Sequence, residues 1–216
     1  MVLIPGGSFT SNAGGAQDVC TFAMDRSEVT VAQYAECVER GGCSDVGVTP
    51  SAACNYGVAG RTNHPMNCVE YDLAAEFCTW MGRRLPTEWE WQWAARGRDA
   101  GRTYPWGSAA PTCERWVWNE ANAVGQGGCG TGTTAAVGSR SPAGDARDGL
   151  QDLAGNVAEW TSSQYEAGSS RQTVKGGSWD SGNVDGARAS YRDDVLPTER
   201  GPGQGFRCVL DGTPSP

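Results

Sequence analysis

The run Asp152-Leu153-Ala154-Gly155-Asn156-Val157-Ala158-Glu159 sets two carboxylates seven residues apart around a Gly-Asn pair. A chain that turns there can bring side-chain and backbone oxygens together, and an all-oxygen set suits Ca²⁺. The residues leave a second reading open, in which Asp152 caps a turn and Glu159 pairs with an arginine. Nine cysteines are the other chemically loaded group. No two stand in C-x₂-C spacing and His64 is the only histidine, which excludes the common zinc sites. Structural disulfides in an exported protein account for them, with one thiol left over. His64 precedes Pro65 without a G-x-S-x-G elbow elsewhere, so it reads as a structural imidazole rather than a triad base. Gly125-Gln126-Gly127-Gly128-Cys129-Gly130 lacks the Lys-Ser/Thr of a phosphate loop and reads as a turn.

These groups need elements to hold them. Thr30-Val31-Ala32-Gln33 is a capping box, followed on one helix face by Tyr34, Cys37 and Val38 and stopped by Gly41-Gly42. Thr87-Glu88-Trp89-Glu90 is a second box, running through Trp93 to Gly97. Between them Asp72 is placed to cap a helix whose Leu73, Phe77, Trp80 and Met81 share a face, with Gly82 as its stop. After Gly97 the chain is turn-rich, with candidate strands at 155–161 and 205–210. Trp89, Trp91 and Trp93 alternate, so they cannot all lie on one helical face, and a core role is expected for them. Trp116 and Trp118 are the better candidates for exposed contact. The sum is an α+β chain with long irregular connections, which persist only when fastened.

Length and charge narrow the function. The chain has 216 residues, 31 of them glycine and 9 tryptophan, and a net charge of −8. No apolar run approaches the roughly 20 residues of a membrane helix, and no basic patch serves nucleic acid. Met1-Val2-Leu3-Ile4-Pro5-Gly6-Gly7 reads as a first strand and turn rather than a signal peptide. Export chemistry without an export signal is what a piece of a longer precursor, with other domains, would present. Asp211 to Pro216 reads as a tail or linker after a domain spanning 1–210.

Eight motifs give the chain a family likeness. They are Met1 to Phe9, Glu28-Val29-Thr30, His64-Pro65, Arg83 to Trp91, Tyr104-Pro105-Trp106-Gly107, Gly155 to Trp160, Lys175-Gly176-Gly177-Ser178-Trp179 and Gly205-Phe206-Arg207-Cys208. In this order the chain resembles the formylglycine-generating enzyme (sulfatase-modifying factor) family. The resemblance implies an irregular C-type-lectin-like α+β fold and an exported setting: secreted, periplasmic, or on the outer face of a membrane-anchored precursor.

The family's enzymes oxidise a substrate cysteine to formylglycine with two cysteines that hold copper. By resemblance those thiols fall on Ser181 and near Val184 to Gly186, and neither position is cysteine. A hydroxyl does not replace a thiolate toward copper, so copper is not expected. The resemblance joins Cys78 to Cys208, and a second family bridge would fall on Ala95 and Ala189, where both ends are missing. Cys113 and Cys129 flank one loop and are expected to close it. Cys37, Cys43, Cys54 and Cys68 make two bridges in one of three pairings, leaving Cys20 over. The family's calcium, carried over, takes Asp152, the carbonyls of Gly155 and Val157, and Glu159. A second family site would use Asn122, but Cys129 stands where its carboxylate belongs. Ser178, Trp179, Ser181, Arg188 and Arg192 are the candidates for a ligand groove, and Arg207 reads as structural. The leading reading is a non-catalytic, calcium-stabilised lectin-like module, a pseudoenzyme binding a protein, peptide or glycan. The alternative is an oxidoreductase or other enzyme of the same family with different active-site chemistry.

Overall fold

The computed structural model describes residues 1–11, 13–118, 129 and 132–212. Nine strands and three helices are formed among them: β1 (Val2–Ile4), β2 (Gly7–Ser11), β3 (Gly15–Val19), β4 (Phe22–Met24), α1 (Val31–Glu39), α2 (Tyr71–Trp80), α3 (Glu88–Ala95), β5 (Ala158–Gln164), β6 (Gln172–Lys175), β7 (Asp193–Val195), β8 (Gln204–Gly205) and β9 (Val209–Asp211). Both capping boxes form, at Thr30 with Gln33 and at Thr87 with Glu90. Each cap satisfies helix-end N–H groups that would otherwise lack partners, an effect of about 1 kcal/mol. The middle helix starts earlier than its pattern suggests. Glu70 is its N-cap, without a side-chain bond, and Asp72 sits in the first turn as a favourable charge on the helix dipole.

Three small sheets result, ordered β1-β4-β9, β2-β3 and β7-β6-β5-β8. β4 pairs antiparallel with both β1 and β9, so it brings the two ends of the chain together. At the start of the expected tail Asp211 pairs with Phe22 and the Gly212 N–H donates to the Thr21 carbonyl, and residues 213–216 lie outside the described residues. The predicted strand at 155–161 starts instead at Ala158, and the one at 205–210 splits into β8 and β9.

Two apolar clusters fill the space around these sheets. Tyr34, Phe77, Cys78, Trp160, Phe206 and Cys208 lead the one under α1 and α2. Ile4, Phe22, Met24, Trp91, Trp93 and Val209 lead the other, which includes Ala95 and Ala189. Where the family has a second bridge, this chain thus packs two small apolar side chains. Trp91 and Trp93 are core residues, and each indole N–H finds an acceptor, Glu159 Oε2 at 2.7 Å and the Pro5 carbonyl at 2.9 Å. Trp116 and Trp118 depart from expectation. They stack on each other at 5.0 Å between centroids and are 0% and 4% exposed, because they pack in a cluster with Ala154, Ala187, Tyr104, Trp106 and Cys129.

Four disulfides fasten the loops: Cys37–Cys43, Cys54–Cys68, Cys78–Cys208 and Cys113–Cys129. Cys20 is the free, exposed thiol. No described helix is long and apolar enough to cross a membrane.

Candidate functional site

The turn leading into β5 is held in an unusual conformation by its own residues. Asp152 and Asn156 both adopt positive φ, at 55° and 61°, a region non-glycine residues seldom occupy. Gly155, also at positive φ, passes so close to the Val117 backbone that a Cβ there would lie 2.2 Å from the Val117 carbonyl oxygen. Asn156 locks the turn from within. Its Nδ2 donates to Glu28 Oε2 at 2.6 Å, and its Oδ1 accepts from the Ala135 N–H at 2.9 Å.

Beneath this turn lies a closed group of charges. Arg207, fully buried, grips Glu159 with Nε on Oε2 and Nη2 on Oε1, both at 2.7 Å. Its remaining N–H groups donate to the carbonyls of Asp25, Arg26 and Gln151. Asp152 Oδ2 accepts from the Gly138 N–H, and Glu28 Oε1 from the Val157 N–H. Burial, then the Asp152 and Glu159 charges, raise the Glu28 carboxyl well above the usual range. Burial likewise raises Asp152 to about 6, against the lowering pull of the Gly138 N–H and Arg207. Three buried carboxyl groups thus lie near one guanidinium, and only Glu159 pairs with it.

This geometry bears on calcium. The donor chemistry of the turn, carboxylate and carbonyl oxygen, fits a hard cation. Glu159, however, gives both oxygens to Arg207 and one also to Trp91, the arginine pairing that the residues had left open. Among the described residues no three His, Cys, Asp or Glu side chains are grouped to hold a metal. A cation at this turn would accordingly rest on Asp152 and backbone carbonyls, with the shortage of positive charge as its attraction. Asn122 and the Gly125–Gly130 turn, apart from Cys129, lie outside the described residues.

The five groove candidates do not form one surface. Ser178, Trp179 and Ser181 stay together. The Ser178 hydroxyl donates to Asp180 Oδ1 and lies 3.1 Å from Ser181 Oγ, which accepts from the Ser178 N–H. Trp179 is tied to the β5 turn through its N–H on the Asn156 carbonyl, and its indole donates to the Pro202 carbonyl. Opposite them stands Gly186, and a Cβ built there would sit 3.9 Å from Ser181 Oγ. Ser181 and Gly186, the latter within the Val184 to Gly186 stretch where the resemblance places the second thiol, therefore lie close together, and a Cβ on Gly177 would come within 3.1 Å of the Gly186 Cα. No imidazole activates these hydroxyls, since His64 Nδ1 is paired with Thr134 Oγ1 at 2.9 Å.

Arg188 and Arg192 diverge. Arg188 is exposed, ion-paired to Asp185, and borders a separate cleft beside α3. Arg192 turns inward, where Nη2 donates to Glu88 Oε2 at 2.8 Å and to the Tyr165 carbonyl. Lys175, the only lysine in the chain, is buried in the same place, 3.8 Å from Glu88 Oε1. Burial pushes its ammonium down to about 7. Sequence reasoning missed Glu28, Glu88 and Lys175 as members of buried charge groups. The only signal was their place inside family motifs, which says nothing of burial.

Residues 1–212 match the sulfatase-modifying factor enzyme 1-like domain. An inactive C-alpha-formylglycine-generating enzyme 2 from Bos taurus is 35% identical over 159 residues, covering 71% of this chain and 52% of that protein. A formylglycine-generating enzyme from Streptomyces coelicolor is 34% identical over 179 residues, covering 71% of this chain and 55% of its own length. This chain thus spans about half the length of these curated relatives. The structure of PvdO from Pseudomonas aeruginosa shares the fold, with a TM-score of 0.73 at 20% identity over 97% of this chain and 93% of that one. With a domain match over nearly its whole length, the chain belongs to the sulfatase-modifying factor family of formylglycine-generating-enzyme-like proteins.

Proposed function

We propose that this chain is a non-catalytic member of the family, an extracytoplasmic module that binds a peptide or glycan at the segment of Ser178, Trp179 and Ser181. One observation carries the reading. A two-thiolate copper centre needs two thiols, and with eight cysteines in disulfides the chain has one, Cys20. The four bridges also support an oxidising compartment. Ser178, Trp179 and Ser181 support binding as the candidate groove residues that stay together. Calcium at the Asp152 turn belongs to this reading, supported by the carboxylate and carbonyl oxygens of that turn, a donor chemistry that fits a hard cation.

Two experiments test it. On peptide and glycan arrays the native chain should retain a ligand that Ser181→Arg loses while still folded by circular dichroism; binding that survives this block would refute the Ser178–Ser181 segment as the site. Chelation should lower the melting temperature of native protein and leave Asp152→Ala unaffected. Equal melting of native protein with calcium and with chelator would remove calcium from the account.

A further inference from the structure

Among the described residues no acid lines the cleft that Arg188 borders. It has a volume of about 250 Å³, and three arginines line it from separate segments: Arg96 at the end of α3, Arg102 in the following loop, and Arg188 after the 3₁₀ turn Val184–Ala187. Polar side chains, Gln92, Thr103 and Ser190, supply the rest of its usable wall. Arg96 is fixed by stacking over the Phe9 ring at 4.7 Å, and its buried Nη1 has no hydrogen-bond partner among the described residues. Arg102 is braced by Nη1 on the Pro105 carbonyl at 3.0 Å. Arg188 is braced by Nε on Asp185 at 2.8 Å and lies 5.7 Å from the Tyr104 ring centroid. Each cation is therefore positioned by a contact that leaves N–H groups unspent, a geometry suited to multidentate oxyanion capture. Asp185 offsets Arg188 alone, Arg96 and Arg102 form no ion pair among the described residues, and a bound anion relieves the repulsion that remains. The whole chain carries −8 and repels anions at long range, so capture here must come from local geometry.

We infer that the Arg96–Arg102–Arg188 cleft binds a tetrahedral oxyanion, the sulfate or phosphate group of a polar, sugar-sized ligand. Guanidiniums on three sides match a doubly charged tetrahedral group better than a single planar carboxylate. The inference is independent of the Ser178–Ser181 segment, and failure of either leaves the other standing.

Inorganic sulfate, inorganic phosphate and acetate would each be titrated into the full chain at low chloride, followed by calorimetry and by the arginine side-chain NMR signals. Sulfate or phosphate should saturate a single site and acetate bind about tenfold more weakly, as loss of charge-assisted bonds implies. Arg96→Gln/Arg102→Gln should weaken sulfate binding by about tenfold or more. Ser190→Glu, at an exposed position, should do the same without touching a structural contact, and Arg40→Gln, on exposed α1 surface, should change nothing. Absence of saturable binding, or acetate binding as tightly as sulfate, would overturn the inference. So would affinity unmoved by both the double variant and Ser190→Glu.

Discussion

Replacing Arg207 by methionine removes the one cation from a group that also contains Glu28, Asp152 and Glu159. The side chains of Arg207 and Glu159 are 0% and 1% exposed, so neither can turn to water when its partner is lost. Breaking a pair this buried costs about 3–5 kcal/mol, because the surviving charge keeps its desolvation penalty and loses its compensation. Three backbone carbonyls, of Asp25, Arg26 and Gln151, lose donors at the same time. For a chain of this size each kcal/mol moves the midpoint by roughly 2–4 °C, so Arg207→Met should melt roughly 6–20 °C lower. Glu159→Gln removes the orphaned charge while keeping an acceptor for the Trp91 indole. The double variant Glu159→Gln/Arg207→Met should therefore recover part of the loss, a coupling that a double-mutant cycle measures. The assay is thermal unfolding by near-ultraviolet circular dichroism at pH 7.5, repeated at high salt, which screens a buried pair little. An Arg207→Met midpoint within 3 °C of native, or a double variant as low as the summed single losses, would refute the reasoning.

Two further outcomes follow from the same structure. Removing Cys78–Cys208, which closes 130 residues, should cost about 5 kcal/mol by chain entropy, against about 2 kcal/mol for Cys37–Cys43, which closes 6; equal midpoint losses for the two alanine pairs would contradict that ranking. Asp152 holds its proton to about pH 6 in the folded chain, above its ordinary value of 3.8. Its contribution is then fully present below about pH 4 and is lost as pH rises to about 6. In chelator, native protein should accordingly lose stability relative to Asp152→Asn across pH 4–6, and parallel pH profiles would show the turn is not desolvated as described.

Much of this was legible in residue order. The two capping boxes named α1 and α3 because Thr and Gln or Glu at that spacing satisfy helix-end groups locally, whatever surrounds them. The absence of thiols at Ser181 and around Gly186 was plain, and so was the overhanging count of nine. What could not be read depended on contacts far apart in sequence. Glu159 meets Arg207 across 48 residues, and Asn156 meets Glu28 across 128. No local pattern chooses between such a pairing and a metal. Trp116 and Trp118 looked available because their segment is irregular, but irregular backbone can still enclose aromatic rings. The arginine cleft was invisible for the same reason, since Arg96, Arg102 and Arg188 meet only once α3 and the segment after Gly177 are packed side by side.

The central claim is that the chain keeps the family's fold without its copper chemistry. Its most direct measurement is incubation of the purified chain with copper, oxygen and a Cys-x-Pro-x-Arg peptide, followed by mass spectrometry for conversion of the cysteine to formylglycine. No aldehyde is expected above a protein-free control, and aldehyde formed in proportion to the chain's concentration would overturn the non-catalytic reading.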